Sequence, residues 1–335
     1  MRTASLLTTT AILGSSLAAT APAPPQNTNS QRPRLSYEDS DNPLPLVIWH
    51  GLGDATDSKS LAQVTQLAGT IAPGIFVHII NPTRDGTNDR TATFFGNVSE
   101  QVQRVCDQLA AHPILSTAPA IDAIGFSQGG QFLRGYVERC NFPPVRNLIT
   151  FGSQHGGITD FKECGSVDYI CKAAMALLRF NVWSSFVQSR VVPAQYYRPV
   201  EDEGYNMYLE NSNYLADINN ERELKNEAYK ENLATLSKFV MFLFENDTVS
   251  IPKESSWFGE VQVNGRYMPL RERRLYKEDW LGLKVLDSKG ALSFRTIKGE
   301  HMQIPEQVLN DTMAEFLGPF NKTAVSAGGD ASQEL

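Results

Sequence analysis

Short apolar runs alternate with stretches of helical periodicity along most of the chain. The apolar runs span residues 45–49, 74–80, 121–126, 145–152, 239–244 and 292–297. Apolar residues recur at helical spacing from Val98 to Leu109, and a second helix is predicted over 131–139. Nearly continuous apolar strands separated by helices are typical of a parallel sheet buried on both faces. The pattern therefore predicts an α/β fold with a mostly parallel central sheet and helices on both faces.

Residues 160–235 interrupt this alternation with a segment that is mostly helical. Its apolar side chains follow one helix face and then a second stripe: Ile170, Ala173, Ala174, Leu177 and Leu178, followed by Val182, Trp183, Phe186 and Val187. A helical insertion between strands is where such folds build a substrate pocket. The simpler alternative is a helical cap whose apolar residues only pack against each other, and periodicity alone favours the cap.

The first residues have the pattern of a secretory signal. Arg2 precedes an apolar run from Leu6 to Leu17, and small residues continue to Ala21. This run is shorter than the roughly 18 apolar residues that a membrane anchor needs. We therefore assign residues 1–21 to a signal peptide, and no later stretch is apolar for long enough to span a bilayer.

The rest of the chain divides by composition. Residues 22–42 are rich in Pro, Asn, Ser and Gln and are predicted to form a disordered leader. Residues 43–320 form the α/β domain with its insertion, and residues 321–335 form a flexible tail. The chain of 335 residues is 41% hydrophobic and has a net charge of −7 without a basic stripe. Nucleic acid is therefore not an expected partner, and we expect a monomer in the secretory pathway.

In the secretory pathway, cysteines form disulfides and asparagines in sequons become glycosylation sites. Cys106, Cys140, Cys164 and Cys171 are four in number, which predicts two disulfides with three alternative connectivities. Because Cys164 and Cys171 are close in sequence, the simplest arrangement pairs these two and leaves Cys106 for Cys140. No Cys-x2-Cys pair suggests a metal site, and we expect neither a metal nor a cofactor. Glycosylation sequons begin at Asn97, Asn246, Asn310 and Asn321.

Residues 125–129 read Gly-Phe-Ser-Gln-Gly, the pattern of a nucleophilic serine on a sharp turn between a strand and a helix. Chance alone supplies this pattern in roughly one in ten chains of this length, so the context has to support it. The predicted strand 121–126 leads directly into the turn, and a helical pattern follows it. Ser127 is therefore the candidate nucleophile.

A serine nucleophile needs a histidine base and a carboxylate that orients the base. In hydrolases with this turn the chain order is serine, acid, histidine. Of the five histidines only His155 and His301 follow Ser127, and His155 leaves no room for an acid-bearing strand. His301 lies in a glycine-containing loop after a predicted strand. Asp247, which follows another predicted strand, is the best-placed acid, with Glu245 as the alternative.

A tetrahedral intermediate also needs two backbone N–H groups that bind its oxyanion. One donor is expected to be Gln128, directly after the nucleophile. The other is expected to be Leu52, in a His-Gly-Leu-Gly sequence that follows the first predicted strand. His50 begins that sequence, and we expect it to brace the loop by hydrogen bonds rather than to react.

Three motifs resemble those of palmitoyl-protein thioesterases: Val47-Ile-Trp-His-Gly-Leu-Gly-Asp54, Gly125-Phe-Ser-Gln-Gly-Gly-Gln-Phe-Leu-Arg134 and Leu215-Ala-Asp-Ile-Asn-Asn-Glu-Arg222. Shorter matches are Asn246-Asp-Thr, Ser256-Trp-Phe-Gly259 and Gly299-Glu-His301. The resemblance implies an α/β-hydrolase that removes long-chain acyl groups, such as palmitoyl, from cysteine in proteins or peptides and acts on fatty acyl thioesters. It implies Ser127 as nucleophile, Asp247 as acid and His301 as base, in a lysosomal, vacuolar or secreted enzyme.

The resemblance also implies that the insertion builds the acyl pocket, with Leu177, Val182, Trp183, Phe186 and Val187 as candidate walls. It carries over both disulfide pairings. Mammalian members have two adjacent cysteines just after the oxyanion motif, where this chain has Asp54-Ala-Thr-Asp57. That additional bridge is therefore not expected here. The alternative functions are a general lipase or carboxylesterase, and a hydrolase-fold binding protein without catalysis.

Overall fold

Six parallel strands form the central sheet in the computed structural model, which describes residues 41–83, 89–161 and 163–321. The strands are β1 (Leu46–Trp49), β2 (Val77–Ile79), β3 (Ile121–Phe126), β4 (Val145–Phe151), β5 (Lys238–Phe244), β6 (Glu260–Val261), β7 (Tyr267–Met268) and β8 (Leu292–Ile297). The sheet has the order β2-β1-β3-β4-β5-β8, and β6 and β7 form a separate antiparallel hairpin. The predicted α/β class is confirmed, and β2 is shorter than the predicted run.

Helices connect the strands and cover both faces of the sheet. They are α1 (Lys59–Ile71), α2 (Asp89–Ala92), α3 (Val98–Ala111), α4 (Gln128–Arg139), α5 (Tyr169–Asn181), α6 (Ser185–Gln188), α7 (Asp202–Asn211), α8 (Leu215–Ile218), α9 (Glu227–Leu233), α10 (Arg274–Lys277), α11 (Leu283–Ser288) and α12 (Glu306–Phe316). Short 3-10 turns occupy Leu115–Thr117, Val192–Tyr196, Lys253–Trp257 and Leu270–Glu272. The helix after Ser127 begins three residues earlier than predicted, because Gln128, Gly129 and Gly130 already belong to it.

Alternate residues of the strands pack into two separate cores. In β1, Leu46 and Ile48 join the core beneath α1 and α12. Val47 and Trp49 join the core on the other face, beneath α3 and α4. Because β1 is covered on both sides, its sequence is apolar throughout instead of alternating. Burial of each such side chain contributes about 1.5–3 kcal/mol.

The insertion between β4 and β5 contains α5 to α9. The predicted apolar stripe lies on α5, where Ala174 and Leu178 are buried in a small core with Phe94, Val187 and Val191. This core is separate from the two that cover the sheet. Only α5 and α6 pack in this separate core, because Tyr208 of α7, Leu215 of α8 and Leu233 of α9 are buried in the core beneath α3 and α4.

Two disulfides tie the loops and helices together. Cys106 on α3 pairs with Cys140 at the end of α4, and Cys164 pairs with Cys171 in the first turn of α5. The structure thus contains the pairing that the sequence favoured among its three alternatives.

The ends of the chain carry predictions that fall outside the described residues. The signal peptide (1–21), nearly all of the leader (22–42) and all but the first residue of the tail (321–335) belong to this group. Within the described ranges, no helix combines the length and the apolar character that crossing a membrane requires.

The buried side chains of Arg134 and Glu138, both on α4, form a network that connects this helix to the insertion. Nη1 of Arg134 lies 2.8 Å from Oε1 of Glu138, one helical turn further along, and both side chains are fully buried. The same guanidinium donates hydrogen bonds to the side-chain oxygen of Asn219 at 2.8 Å and to the carbonyl oxygens of Ile218 and His155. Because a buried charge without partners is strongly destabilising, this network fixes where the insertion meets the sheet.

The Glu138 carboxyl makes the stability of this network dependent on pH. Burial raises the pKa of Glu138 to about 8, against the opposing effect of the Arg134 charge. A carboxyl whose pKa is higher in the folded state stabilises the fold when protonated, and this contribution disappears as the pH rises from about 4.5 to 8.

We expect Glu138→Gln to remove this dependence, because glutamine does not titrate. Between pH 5 and 8, the original protein should lose on the order of 3 kcal/mol of unfolding free energy relative to the variant. Urea unfolding at several pH values measures it. A difference that stays constant over this range would contradict the proposed titration.

Candidate active site

Ser127 occupies a strained turn between β3 and α4. Its backbone has φ of 51° and ψ of −126°, a left-handed conformation that non-glycine residues rarely adopt. Its N–H donates a hydrogen bond of 2.8 Å to the carbonyl oxygen of Phe151 at the end of β4. A Cβ added at Gly129 would overlap the carbonyl oxygen of Trp49, so glycine is required where α4 begins against β1. The turn therefore projects the serine hydroxyl from the edge of the sheet.

The structure brings Ser127, His301 and Asp247 together in a hydrogen-bonded chain. Nε2 of His301 lies 2.9 Å from Oγ of Ser127, and Nδ1 lies 2.6 Å from Oδ2 of Asp247. The other carboxylate oxygen of Asp247 accepts the backbone N–H groups of Val249 and Ser250 at 2.8 and 3.0 Å. Because a carboxylate can only accept, Nδ1 of His301 carries a proton and Nε2 is free to accept the serine proton.

The three side chains meet because of the sheet topology. Ser127 follows β3, Asp247 follows β5 and His301 follows β8, and the carboxyl ends of parallel strands lie at one edge. Asp247 and Ser127 are buried, and His301 is nearly so. Glu245, the alternative acid, lies at the exposed surface instead.

The two residues expected to donate to the oxyanion, Leu52 and Gln128, both lie next to residues at the nucleophile. A Cβ added at Gly51 would come within 3.1 Å of Cβ of Ser127, so the loop after β1 touches the nucleophile. Leu52 follows Gly51 in this loop, and Gln128 is the first residue of α4. The hydrogen bonds found among the described residues leave both of these N–H groups without an acceptor. The positive end of the α4 dipole adds to the attraction for an anion at this point.

Residues 89–93, which include α2, hold the loop after β1 in place. We call residues 50–53 of this loop the oxyanion loop, because Leu52 is one of the expected donors. Oγ1 of Thr93 accepts the backbone N–H of Gly53 at 2.8 Å, and Nε of Arg90 donates to the carbonyl oxygen of Gly53 at 2.9 Å. The side-chain amide of Gln128 donates to the carbonyl oxygen of Thr93 at 3.2 Å. Both expected oxyanion donors are thus fixed by one short segment. No sequence signal marks this segment, because residues 89–93 form no motif and lie about 40 positions from the loop.

His50 lies fully buried behind the same loop. Its Nδ1 lies 3.2 Å from the carbonyl oxygen of Gly51, and its Nε2 lies 3.8 Å from Oδ2 of Asp89. Burial alone would raise the pKa of Asp89, but hydrogen bonds from Thr56 and the neighbouring His50 hold it below its ordinary value. These contacts suit the bracing role expected of His50.

His155, the other histidine after the nucleophile, is buried in the core. Its Nε2 lies 3.1 Å from Oγ1 of Thr150, and its ring stacks on Phe258. Burial, reinforced by the Arg134 charge, holds the pKa of His155 well below its ordinary value, so the ring is neutral. It takes no part in the chain of hydrogen bonds at Ser127.

A cavity of about 1050 Å³ opens at Ser127 and His301. Apolar side chains form two of its walls: Leu61, Val64, Leu67, Ile304 and Leu309 from α1, α12 and the loop before α12, and Phe94, Ile158, Ala174, Met175, Pro193 and Tyr196 from the α2 segment and the insertion. Leu52 lies between these walls, next to the nucleophile. The volume is at the upper end of the range for small-molecule sites.

The five residues predicted as acyl-pocket walls, Leu177, Val182, Trp183, Phe186 and Val187, do not line this cavity. Val187 is buried inside the small core of the insertion, and Leu177 and Val182 pack against that core. Trp183 packs toward the sheet, and Phe186 is 52% exposed. The prediction is corrected here: the insertion contributes Ala174 and Met175 instead, because periodicity identifies an apolar helix face without showing which side faces the cavity.

In residues 41–83, 89–161 and 163–321, no three His, Cys, Asp or Glu side chains are grouped so that they could hold an ion.

The fold and the Ser–His–Asp arrangement define an α/β-hydrolase. The pattern that describes the palmitoyl protein thioesterase family matches residues 45–301. The chain therefore belongs to the palmitoyl protein thioesterase family. The match contains all three residues of the hydrogen-bonded chain and ends at His301.

Curated relatives agree with this membership. The chain is 36% identical to palmitoyl-protein thioesterase 1 of Caenorhabditis elegans, over 84% of this chain and 94% of that one. It is 32% identical to palmitoyl-protein thioesterase 3 of Dictyostelium discoideum, over 82% and 91% of the two chains. It is also 35% identical to a palmitoyl-protein thioesterase-dolichyl pyrophosphate phosphatase fusion of Schizosaccharomyces pombe, over 81% of this chain but only 43% of the fusion.

The contact between Thr93 and Gly53 predicts that Thr93 controls the oxyanion loop. Thr93→Val should slow the labelling of Ser127 by a fluorophosphonate about tenfold, because the Gly53 N–H loses its acceptor. Thr93→Ser keeps the hydroxyl and should label at close to the original rate. Ser127→Ala supplies the unlabelled control, and equal rates for the valine and serine variants would contradict this role of Thr93.

Proposed function

We propose that this protein hydrolyses the thioester that joins a long fatty acyl group, above all palmitoyl, to cysteine in proteins or peptides. The observation that carries the proposal is the position of Ser127: hydrogen-bonded to His301, it opens into a large cavity with apolar walls. Membership of the palmitoyl protein thioesterase family gives the substrate class. The names of the curated relatives from worm and amoeba point to the same chemistry.

Acylation is the first of two steps. Nε2 of His301 takes the proton of the Ser127 hydroxyl, whose oxygen attacks the carbonyl carbon of the thioester. The N–H groups of Leu52 and Gln128 bind the oxyanion of the tetrahedral intermediate. The carbon–sulfur bond then breaks, and the cysteine sulfur leaves as a thiolate that takes up the proton from His301. A thiolate is a good leaving group, so this step needs less general-acid assistance than cleavage of an amide.

Deacylation returns the enzyme to its starting state. His301 takes a proton from a water molecule, and the resulting hydroxide attacks the acyl-serine carbonyl at the same oxyanion site. The bond between the acyl carbon and the Ser127 oxygen breaks, and the proton on His301 passes to that oxygen. Asp247 orients and stabilises the imidazolium in both steps, since one of its oxygens accepts from Nδ1 of His301 and the other is fixed by two backbone N–H groups.

The acyl chain occupies the apolar part of the cavity. Phe94, Ala174 and Tyr196 form its wall on the side of the insertion. Each methylene moved from water into such a site contributes about 0.8 kcal/mol. This dependence on chain length favours palmitoyl over short acyl groups and separates the proposal from a general carboxylesterase, whose preference would not rise with length.

The setting in the cell follows from the sequence and the disulfides. The predicted signal at 1–21 and two disulfides, Cys106–Cys140 and Cys164–Cys171, suit an oxidising lumen. We therefore place the enzyme on the secretory route, in a lysosome or vacuole or outside the cell, acting as a monomer that needs no cofactor.

An S-palmitoyl peptide tests the proposed activity directly. The protein should release palmitate from the peptide and hydrolyse the thioester faster than the matching serine oxygen ester. Ser127→Ala should lower kcat/KM at least about 1000-fold while the fold is retained. Ser60→Ala, which changes another serine that lines the cavity, is the matched control. Faster hydrolysis of the oxygen ester would favour a lipase or carboxylesterase instead.

Shortening the cavity at Ala174 tests the acyl site. Ala174→Phe should exclude about two methylenes of the acyl chain from the cavity and lower kcat/KM for palmitoyl thioesters about tenfold. Hydrolysis of a hexanoyl thioester should change less than about twofold, which also shows that the variant folds. Ala173→Phe places the same ring on the exposed face of α5 and should leave both substrates unaffected. Equal losses on the two substrates would contradict this location of the acyl chain.

A further inference from the structure

Helix α5 exposes aromatic and basic side chains, and no acidic one, on its solvent-facing side. Ala174 and Leu178 are buried on its inner side. The opposite side is defined by helical spacing and consists of Tyr169, Lys172, Ala173, Ala176, Arg179 and Phe180, all exposed. We call these six residues the outer α5 face. Two aromatic rings and two basic side chains thus face solvent on one side of a single helix.

Two aromatic rings dominate the outer α5 face. Phe180 is 87% exposed and Tyr169 is 78% exposed. They are separated by 11 residues, or three helical turns, so both rings project in the same direction. Ala173 and Ala176 lie between them, and Lys172 and Arg179 flank the stripe on one side. A contiguous exposed apolar stripe of this kind marks an interaction surface, whereas single exposed apolar residues do not.

The charges on the outer α5 face are both positive. They are Lys172 and Arg179, and α5 (Tyr169–Asn181) contains no acidic residue, in a protein whose net charge is −7. Nζ of Lys172 donates to the carbonyl oxygen of Ser166 and lies over the Tyr169 ring, and the nearest acidic side chain before them, Asp168, is paired with Arg90. The outer α5 face is therefore a cationic patch on an acidic protein, and it complements an anionic partner.

We propose that the outer α5 face binds the surface of a lipid bilayer that contains anionic headgroups. Exposed aromatic rings next to lysine and arginine are the composition of helices that lie in the membrane interface. Tyr169 and Phe180 enter the headgroup region, and Lys172 and Arg179 contact the anionic lipids. Two basic side chains beside two exposed rings, with no acidic side chain on the helix, complement anionic headgroups.

Membrane binding by the outer α5 face has a role that follows from the position of α5, and this role rests on the proposed function. The side of α5 opposite the outer α5 face supplies Ala174 and Met175 to the cavity beside Ser127. One helix thus contacts the membrane on one side and the acyl site on the other. A fatty acyl chain attached to cysteine resides in a bilayer, and docking by α5 brings the cavity to it.

Vesicle flotation tests the proposal independently of catalysis. The mature Ser127→Ala protein should float with vesicles of phosphatidylcholine mixed with phosphatidylserine and should bind vesicles of phosphatidylcholine alone much more weakly. Tyr169→Ser with Phe180→Ser should lower the partition coefficient at least about tenfold. Lys172→Glu with Arg179→Glu should lower it by a similar factor on the anionic vesicles.

A matched control uses two apolar residues that are equally exposed elsewhere. Leu224 is 91% exposed and Val263 is 76% exposed, and neither lies on α5. Leu224→Ser with Val263→Ser should change the partition coefficient less than about twofold. The same substitutions made with Ser127 intact should keep fluorophosphonate labelling, which shows that the variants fold.

Several results would overturn the proposal. They are the absence of binding to anionic vesicles, equal binding to both kinds of vesicle, or an equal loss in the control variant. A dimer in sedimentation velocity that the Tyr169 and Phe180 changes dissociate, without vesicle binding, would show a contact between copies instead. Vesicle binding that persists in a protein unable to hydrolyse S-palmitoyl peptides would leave this surface standing and refute the proposed function alone.

Discussion

The strained turn at Ser127 is the constraint on which the rest of the site depends. A positive φ of 51° costs a non-glycine residue about 1–3 kcal/mol, and it persists only where the surroundings enforce it. Here the end of β1 packs against Gly129, and the N–H of Ser127 is bonded to Phe151 on β4. The same packing brings the loop that carries Leu52 into contact with the nucleophile. The packing that enforces the strain at Ser127 therefore also holds the loop that carries Leu52 beside the nucleophile.

The side chain of Arg90 connects the loop that carries Leu52 to helix α5. Arg90 donates to the carbonyl oxygen of Gly53 in the loop and forms an ion pair of 3.1 Å with Asp168, the N-cap of α5. Both partners are partly exposed, so the pair contributes modest stability. Its effect is geometric, because it fixes α5 relative to the amides that we propose as oxyanion donors. The Cys164–Cys171 disulfide encloses Asp168 and limits its movement further.

The sequence was most informative where chain order and strand ends determine the chemistry. Elimination among five histidines selected His301, and the parallel sheet then places it beside Ser127 and Asp247, as their hydrogen bonds show. The walls of the cavity could not be found in this way. Trp183 and Ala174 lie in equally apolar stretches, and only the packing of α5 on its own small core decides that the alanine faces the cavity. The α2 segment was missed because long-range contacts such as Thr93 to Gly53 leave no local pattern.

The central claim is that Ser127 carries the acyl group between the two steps. The most direct measurement mixes the protein with an S-palmitoyl peptide, quenches the reaction with acid within a turnover and locates the acyl group by mass spectrometry of the digest. The account predicts palmitoyl on the peptide that contains Ser127, appearing before free palmitate and then disappearing. Turnover of the substrate with no acylated peptide, or with the acyl group on another residue, would contradict it.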